Sequence, residues 1–151
     1  MNDIKTTALF IGNRDCYTVT ESEIERAIIQ AIESGIDTFL SGGLGFFDEI
    51  SARVLHKVKS DYPNVKSILV IPFKRFEPFD SSLFDEIVYP FEERVQGLIN
   101  NRNAIPIRNR IMVESASVAI CYVERINGGA AKTMNYAITR GLKIIDLTTT
   151  I

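Results

Sequence analysis

The sequence lacks tryptophan and has one histidine and two cysteines. Cys16 and Cys121 stand far apart without CxxC spacing, so we expect reduced thiols and neither a disulfide framework nor a metal site. No apolar run reaches the roughly 18 residues that a membrane helix requires. The net charge is -2, so the basic excess that usually supports nucleic-acid binding is also missing. These absences exclude a membrane-spanning protein and disfavour DNA and RNA as partners.

The length and apolar content are typical of one globular domain. A chain of 151 residues with 46% hydrophobic content is large enough to form one hydrophobic core. The first residues lead directly into the apolar run Ala8-Leu9-Phe10-Ile11, with no charged leader, long apolar core or cleavage site. We therefore expect a single domain over residues 1–151, located in the cytoplasm.

Short apolar runs alternate with amphipathic segments along the chain. The runs predict strands at 8–11, 36–40, 65–73, 87–89, 118–123 and 143–147. The amphipathic segments predict helices at 20–35, 47–58, 107–115 and 129–140. Segment 91–106 is polar and rich in asparagine, so we expect a mobile insertion there. The alternation predicts a Rossmann-like, three-layer α/β/α fold with a mainly parallel sheet.

Three loops beside the predicted strand ends contain glycine. They are Gly12-Asn13-Arg14-Asp15, Ser41-Gly42-Gly43-Leu44-Gly45 and Asn127-Gly128-Gly129. Ligands of open parallel sheets bind at the carboxyl ends of the strands, and glycine lets a phosphate oxygen approach backbone amides closely. No loop matches the GxGxxG or P-loop pattern. We therefore expect a pocket for a nucleotide-like anion, with simple turn formation as the alternative for each loop.

Charged residues near these loops extend the candidate site. Arg14, Arg108 and Arg110 carry guanidinium groups that bind two phosphate oxygens at once. Arg108 and Arg110 diverge by about 200° around a helix, so at most one of them is expected to enter the pocket unless both lie at the frayed start of the helix. The alternative for each arginine is a solvated side chain on the surface. Asp48 opens the second helix, where the helix dipole alone favours an acid. The functional alternatives for Asp48 are to accept hydrogen bonds from ribose hydroxyls of the ligand or to orient the glycine loop.

Several motifs together resemble those of a known family. They are residues 41–48 followed by Ser51-Ala52, residues 12–14, Ile71-Pro72-Phe73, residues 108–113 and Gly128-Gly129-Ala130-Ala131-Lys132-Thr133. In this order they resemble the SLOG superfamily, above all its YspA/YpsA-like branch. The resemblance implies a Rossmann-like nucleotide pocket formed by Gly12, Asn13, Arg14, Ser41, Gly42, Gly43, Asp48, Arg108, Gly128, Gly129, Lys132 and Thr133. It also implies a homo-oligomer, for which Phe76, Phe79 and Phe84 could offer apolar surface, with local packing as the alternative role of these residues.

The same superfamily includes the lonely-guy phosphoribohydrolases and the DprA single-strand DNA proteins. In the hydrolases an arginine acts with a glutamate of a PGGxGTxxE motif. Arg108 matches that arginine, but the glutamate position is Asn135, and Asn127 replaces the proline. The branch that this sequence resembles usually has histidine at the position of Asn13. The amide of Asn13 replaces the imidazole, so a proton-transfer role at this position is doubtful. Loss of a charge that stabilises a transition state commonly costs about 10²-fold or more in rate.

The expected function is therefore binding or sensing of a nucleotide or nucleotide-sugar phosphate. The alternative is a phosphoribohydrolase that cleaves the N-glycosidic bond of a nucleoside 5′-monophosphate, with Arg108 as its catalytic residue. A DNA-handling protein of the DprA kind is disfavoured by the acidic net charge. No cofactor and no metal are expected, and whether the ligand is turned over stays open.

Overall fold

One sheet of parallel strands carries the described part of the molecule. The computed structural model describes residues 5–73, 80–91, 99–100 and 102–148. The strands are β1 (Thr7–Gly12), β2 (Thr38–Ser41), β3 (Lys66–Val70), β4 (Glu86–Val88), β5 (Val118–Tyr122) and β6 (Lys143–Asp146). The helices are α1 (Glu21–Glu33), α2 (Phe46–Val58), α3 (Ala104–Glu114) and α4 (Gly129–Thr139), and a 3₁₀ turn lies at Ser81–Leu83.

The strand order across the sheet is β4-β3-β2-β1-β5-β6. The chain builds one half of the sheet outward from β1, then returns and adds β5 on the other side of β1. Strands β1 and β5 run in register from Ala8 opposite Val118 to Gly12 opposite Tyr122. Their carboxyl ends therefore meet at the position where the strand order reverses. A crevice at this position is the usual ligand site of such sheets.

Two hydrophobic clusters lie on opposite faces of the sheet. Successive strand residues point to opposite faces, so β1 sends Ala8 and Phe10 into one cluster and Leu9 and Ile11 into the other. Helices α1 and α2 complete the first cluster, and α3 and α4 complete the second. The predicted three-layer α/β/α architecture with a parallel sheet is therefore confirmed.

The helix ends test the boundary predictions. Thr20 caps α1 by accepting a hydrogen bond from the Glu23 amide at 3.2 Å, and Gly35 follows this helix with a φ of 112°. Both ends were predicted from the sequence. The predicted start of the third helix at residue 107 is wrong, because α3 begins at Ala104. Pro106 lies in its first turn, where the missing proline N–H needs no partner.

Some predictions concern residues outside the described part. Of the insertion expected at 91–106, residues 92–98 and 101 are not among the described residues. Phe76 and Phe79 also lie outside them, whereas Phe84 is half-buried. Among the described helices, none has both the length and the apolar character that crossing a bilayer requires.

Candidate functional site

A cavity of about 280 Å³ lies at the carboxyl ends of β1 and β5, where the strand order reverses. The loops after β1 and β2, the first half of α3 and the start of α4 form its walls. The lining residues are Phe10, Ile11, Gly12, Asn13, Arg14, Gly42, Leu44, Asp48, Ile105, Arg108, Asn109, Met112, Arg125, Asn127, Gly128, Gly129, Ala130 and Thr133.

The loop after β1 forms the base of the cavity. A Cβ atom on Gly12 would lie 2.3 Å from the Phe47 ring, so this position accepts no side chain. The buried Asn13 accepts a hydrogen bond from the Glu124 amide at 2.7 Å, which connects this loop to the segment after β5. Arg14 is exposed, and its guanidinium makes no hydrogen bond or ion pair with any described residue. None of the residues that the structure describes therefore competes with a ligand for the Arg14 guanidinium.

Arg108 is a buried cation below the second glycine loop. It is 2% exposed, and its Nη1 donates hydrogen bonds to the carbonyl oxygens of Gly42 at 2.9 Å and Val70 at 2.6 Å. Burial lowers the pKa of Arg108 to about 10, so the group remains charged at neutral pH. Within the described residues its Nη2 makes no hydrogen bond, so this side of the guanidinium remains for a ligand.

Asp48 is the acidic group of the cavity. The Leu44 amide donates a hydrogen bond to its Oδ2 at 3.0 Å. Burial raises the pKa of Asp48 to about 6, although the Leu44 hydrogen bond and the charges of Arg108 and Arg14 act in the opposite direction. Among the described lining residues, Asp48 alone carries a carboxyl group. With a pKa of about 6, this carboxyl group changes its protonation state below neutral pH.

The start of α4 forms the opposite wall. Gly128 precedes the helix with a φ of 100°, and in the described structure no side chain caps the free amides of the first turn. Such amides attract anions. Thr133 Oγ1 donates to the Gly129 carbonyl at 2.8 Å and accepts from Asn109 Nδ2 at 3.1 Å.

Asn109 in turn accepts a hydrogen bond from Arg108 Nε at 2.9 Å. A continuous set of hydrogen bonds therefore runs from the Val70 carbonyl through Arg108, Asn109 and Thr133 to the first turn of α4. It fixes the buried cation and the free amides relative to each other.

An ion pair crosses the rim of the cavity. Arg125 binds both carboxylate oxygens of Asp15, at 2.8 and 2.6 Å, and so connects the loops after β5 and β1. This hydrogen bonding holds the pKa of Asp15 below its usual value. Both side chains are exposed, so the pair can open without burying a charge.

Most of the predicted site residues line the cavity, but three of them do not. Ser41 is buried and accepts a hydrogen bond from the Gly43 amide at 3.3 Å, so it shapes the turn below the cavity. Gly43 supplies the positive φ of 71° that this turn requires. Lys132 is exposed on α4 outside the lining.

The two remaining predictions concern Arg110 and Asn135. Only one arginine of the pair 108 and 110 enters the cavity, as expected from their angular separation, because Arg110 lies 5.7 Å above the Tyr136 ring. Asn135, at the glutamate position of the hydrolases, is exposed and lies outside the lining. Its side chain is therefore not positioned to act on a ligand held in the cavity.

Sequence reasoning missed Arg125 and Asn109 as site residues. Arg125 lies after β5, the strand that pairs with β1 where the strand order reverses. The sequence alone does not show that β1 and β5 are neighbours. Asn109 adjoins Arg108, and its role follows only from the approach of α3 to α4.

The model of the YspA SLOG family matches residues 5–81, which include β1, α1, β2, α2 and β3. The chain belongs to the YspA SLOG family. The resemblance drawn from the motifs is therefore confirmed. No protein with a curated description matches the chain in sequence.

Three solved structures have the same fold as this SLOG chain. One is DNA processing protein A from Helicobacter pylori, which is described by its single-stranded DNA binding mode. It has a TM-score of 0.62 and 13% sequence identity, and the match covers 94% of this chain and 65% of that one. The molybdenum cofactor binding protein from Rippkaea orientalis has a TM-score of 0.62 at 21% identity, with 96% and 77% covered.

The third is DNA processing protein A from Streptococcus pneumoniae, with a TM-score of 0.51 at 16% identity and 93% and 58% covered. The SLOG chain thus spans about 65% of the Helicobacter pylori protein and 58% of the Streptococcus pneumoniae protein. At these identities the likeness shows the fold alone.

The expectation that disfavoured a nucleic-acid partner is wrong. It rested on the net charge of -2, yet two neighbours of the same fold are DNA processing proteins, one of them described by its single-stranded DNA binding. Net charge is a sum over the whole surface, whereas phosphates respond to the local arrangement of cations. Among the described lining residues three arginines accompany one carboxyl group, and one of these arginines, Arg125, also binds the Asp15 carboxylate at the rim. The described lining of the cavity therefore carries a positive charge, although the net charge of the whole chain is negative.

Proposed function

We propose that this SLOG chain binds the phosphate of a nucleotide or nucleotide-sugar phosphate in the cavity at the carboxyl ends of β1 and β5. One observation carries the proposal: Arg14, Arg108 and Arg125 line the same cavity as the uncapped start of α4. Guanidinium groups and free helix amides are the donors that recognise phosphate.

The lining leaves donors available for a ligand. Arg14 has no partner among the described residues, and Nη2 of Arg108 is likewise unpaired there. A Cβ atom on Gly129 would meet no other atom within 4 Å, so a ligand can approach the backbone of the first turn closely. A phosphate in this place gains hydrogen bonds without breaking those that hold the cavity together.

Asp48 suits the sugar of such a ligand. The pKa of the Asp48 carboxyl group is about 6. This group accepts hydrogen bonds when it is ionised and can donate one when it is protonated. Ribose hydroxyls both donate and accept, so they match either state. The acid also lies in the first turn of α2, within the electrostatic influence of Arg14 and Arg108.

Single-stranded nucleic acid is a second candidate ligand. The fold neighbours from Helicobacter pylori and Streptococcus pneumoniae favour it, because both are DNA processing proteins. A chain of nucleotides presents the same phosphate chemistry as a free nucleotide. Its affinity would fall steeply as salt is added.

Hydrolysis of the N-glycosidic bond has weaker support than binding. The carboxylate that the hydrolases use is replaced by Asn135, whose exposed side chain lies outside the cavity. Asp48 is the remaining candidate among the described lining residues. A hydrolase would release free base from AMP, and an Asp48→Asn variant would lose that activity.

Isothermal titration with AMP, ADP-ribose, NAD and adenosine tests the proposal. We expect heat of binding for the phosphate-bearing compounds and none for adenosine, which has the same base and sugar without phosphate. Chromatography of the AMP mixture detects any free base. Anisotropy of a labelled single-stranded oligonucleotide at low and high salt tests the second candidate. Equal binding of AMP and adenosine would refute phosphate recognition.

A further inference from the structure

The exposed Tyr17 and the half-buried Phe46 form an aromatic pair beside the cavity. Tyr17 is 71% exposed, and its ring centroid lies 5.1 Å from that of Phe46 at an interplanar angle of 54°. Neither ring belongs to the two hydrophobic clusters formed by the described residues. Packing within the fold therefore does not account for an aromatic side chain at Tyr17.

Arg14 joins this pair to the cavity. The Phe46 amide donates a hydrogen bond to the Arg14 carbonyl oxygen at 2.7 Å. Gly45 lies so close to Arg14 that a Cβ atom there would be 2.5 Å from the Arg14 Cα. Arg14 also lines the cavity, so the aromatic pair lies next to a cavity residue. The guanidinium of Arg14 has no partner among the described residues.

The size of the cavity bears on which parts of a nucleotide lie inside it. Its volume of about 280 Å³ lies just below the range of roughly 300–1,000 Å³ that is usual for sites enclosing a whole drug-sized ligand. We assign this space to a phosphate held by the arginines and α4, together with its sugar. The base is then left at the rim.

We propose that the base of the ligand stacks on Tyr17 beside Phe46, with its phosphate in the cavity. This assignment rests on the proposed function. Aromatic rings offer a π-face to any base, so stacking favours a nucleotide over a phosphosugar without selecting one base strongly. The ligand class is therefore a base-bearing phosphate rather than a sugar phosphate.

Titration of AMP and ribose 5-phosphate into four proteins tests the assignment. The proteins are the wild type, Tyr17→Ala, Tyr17→Phe and Ile138→Ala, where Ile138 is an exposed apolar residue on α4 outside the cavity lining. We expect the wild type to bind AMP about 5- to 50-fold more tightly than ribose 5-phosphate. Tyr17→Ala removes this preference and leaves ribose 5-phosphate binding unchanged, whereas Tyr17→Phe and Ile138→Ala retain the preference.

The outcomes separate the two proposals. Unchanged AMP affinity in Tyr17→Ala overturns the stacking assignment and leaves phosphate binding intact. Failure of the wild type to bind either compound overturns both. Loss of both compounds in Tyr17→Ala also overturns stacking, because a stacking residue acts on the base alone. A changed oligomeric state of Tyr17→Ala in size-exclusion chromatography with unchanged AMP affinity assigns the pair to a protein interface instead.

Discussion

Arg108 and Gly42 are in direct contact, because the guanidinium donates a hydrogen bond of 2.9 Å to the Gly42 carbonyl oxygen. A Cβ atom on residue 42 would lie 2.9 Å from the Arg108 Cζ. Glycine at this position thus makes room for a buried arginine from α3. The second glycine loop serves the packing of the site as well as the approach of a ligand.

Replacing Gly42 by alanine is expected to destabilise the fold by about 1–3 kcal/mol, since the new methyl group overlaps the guanidinium and displaces it from two carbonyl oxygens. Urea unfolding of the wild type and Gly42→Ala measures the difference. The matched control is Gly129→Ala, where a Cβ atom meets nothing within 4 Å. This control is expected to be neutral or stabilising by up to about 1 kcal/mol. Equal stability of the two variants would refute the contact.

Thr133→Val tests the hydrogen bonds between α3 and α4. The change keeps the shape of the side chain but removes the hydroxyl that joins Asn109 Nδ2 to the Gly129 carbonyl. We expect a loss of about 1–2 kcal/mol in the free energy of unfolding. Thr139→Val is the control, because Thr139 makes the same type of bond to Asn135 within α4 but is exposed. Similar losses in both variants would mean that the contact with Asn109 adds nothing.

Asp48→Asn is expected to stabilise the protein at neutral pH. Burial raises the folded-state pKa of Asp48 from 3.8 to about 6, so the folded protein binds the proton more tightly than the unfolded chain does. Stability contributed by this group is therefore present at low pH and is lost as pH rises from about 4 to 6. Asparagine carries no charge and still accepts the Leu44 hydrogen bond. The expected gain above pH 6 is of the order of 1–3 kcal/mol.

Urea unfolding at about pH 4 and about pH 7.5 measures this effect. The wild type and Asp48→Asn should agree more closely at the lower pH and separate at the higher one. Glu49→Gln is the control for loss of a carboxylate in the same helical turn, because Glu49 pairs with Arg53 on the surface. Parallel pH curves for the wild type and Asp48→Asn would contradict the raised pKa.

The sequence predicted the architecture because every strand and helix carries its own periodic signal. Ala8 to Ile11 is apolar at every position, as expected of a central strand between two helical layers. The start of α3 was misplaced because the polar, asparagine-rich segment 91–106 was predicted as an insertion, whereas α3 begins within it at Ala104. Local patterns thus determine which elements exist more firmly than where they end.

The site was predicted less completely than the fold. Gly12, Asp48, Arg108 and Gly128 carry signals within their own loops or motifs, and all four line the cavity. The role of Arg125 depends on the order of strands in the sheet, which brings it to Asp15. Likewise, the sequence could not indicate that Arg108 is held by Val70 and Gly42, since both contacts join distant segments.

Asp15→Ala is expected to strengthen phosphate binding. The substitution releases Arg125 from its bidentate ion pair, so that this guanidinium becomes available to an anion at the rim. We expect a several-fold higher affinity for AMP in titration calorimetry and an unchanged unfolding midpoint, because the pair is exposed. Asp61→Ala, which removes one negative charge beyond the far end of α2, is the control for net charge. An equal gain in both variants would indicate a general charge effect.

Arg14→Ala is the sharpest test of the site, because Arg14 makes no side-chain hydrogen bond or ion pair with any described residue and its loss leaves no buried group unpaired. Arg108→Ala would instead leave the Val70 and Gly42 carbonyls without a donor, so a loss of binding there would not separate recognition from folding. We expect Arg14→Ala to weaken AMP binding by about 10- to 100-fold, the range for a hydrogen bond to a charged group, at unchanged stability. Arg110→Ala removes the same charge from an exposed arginine that lies over Tyr136, outside the cavity lining. If both variants lost affinity to the same extent, the attraction would be a property of the whole surface rather than of the cavity at the carboxyl ends of β1 and β5.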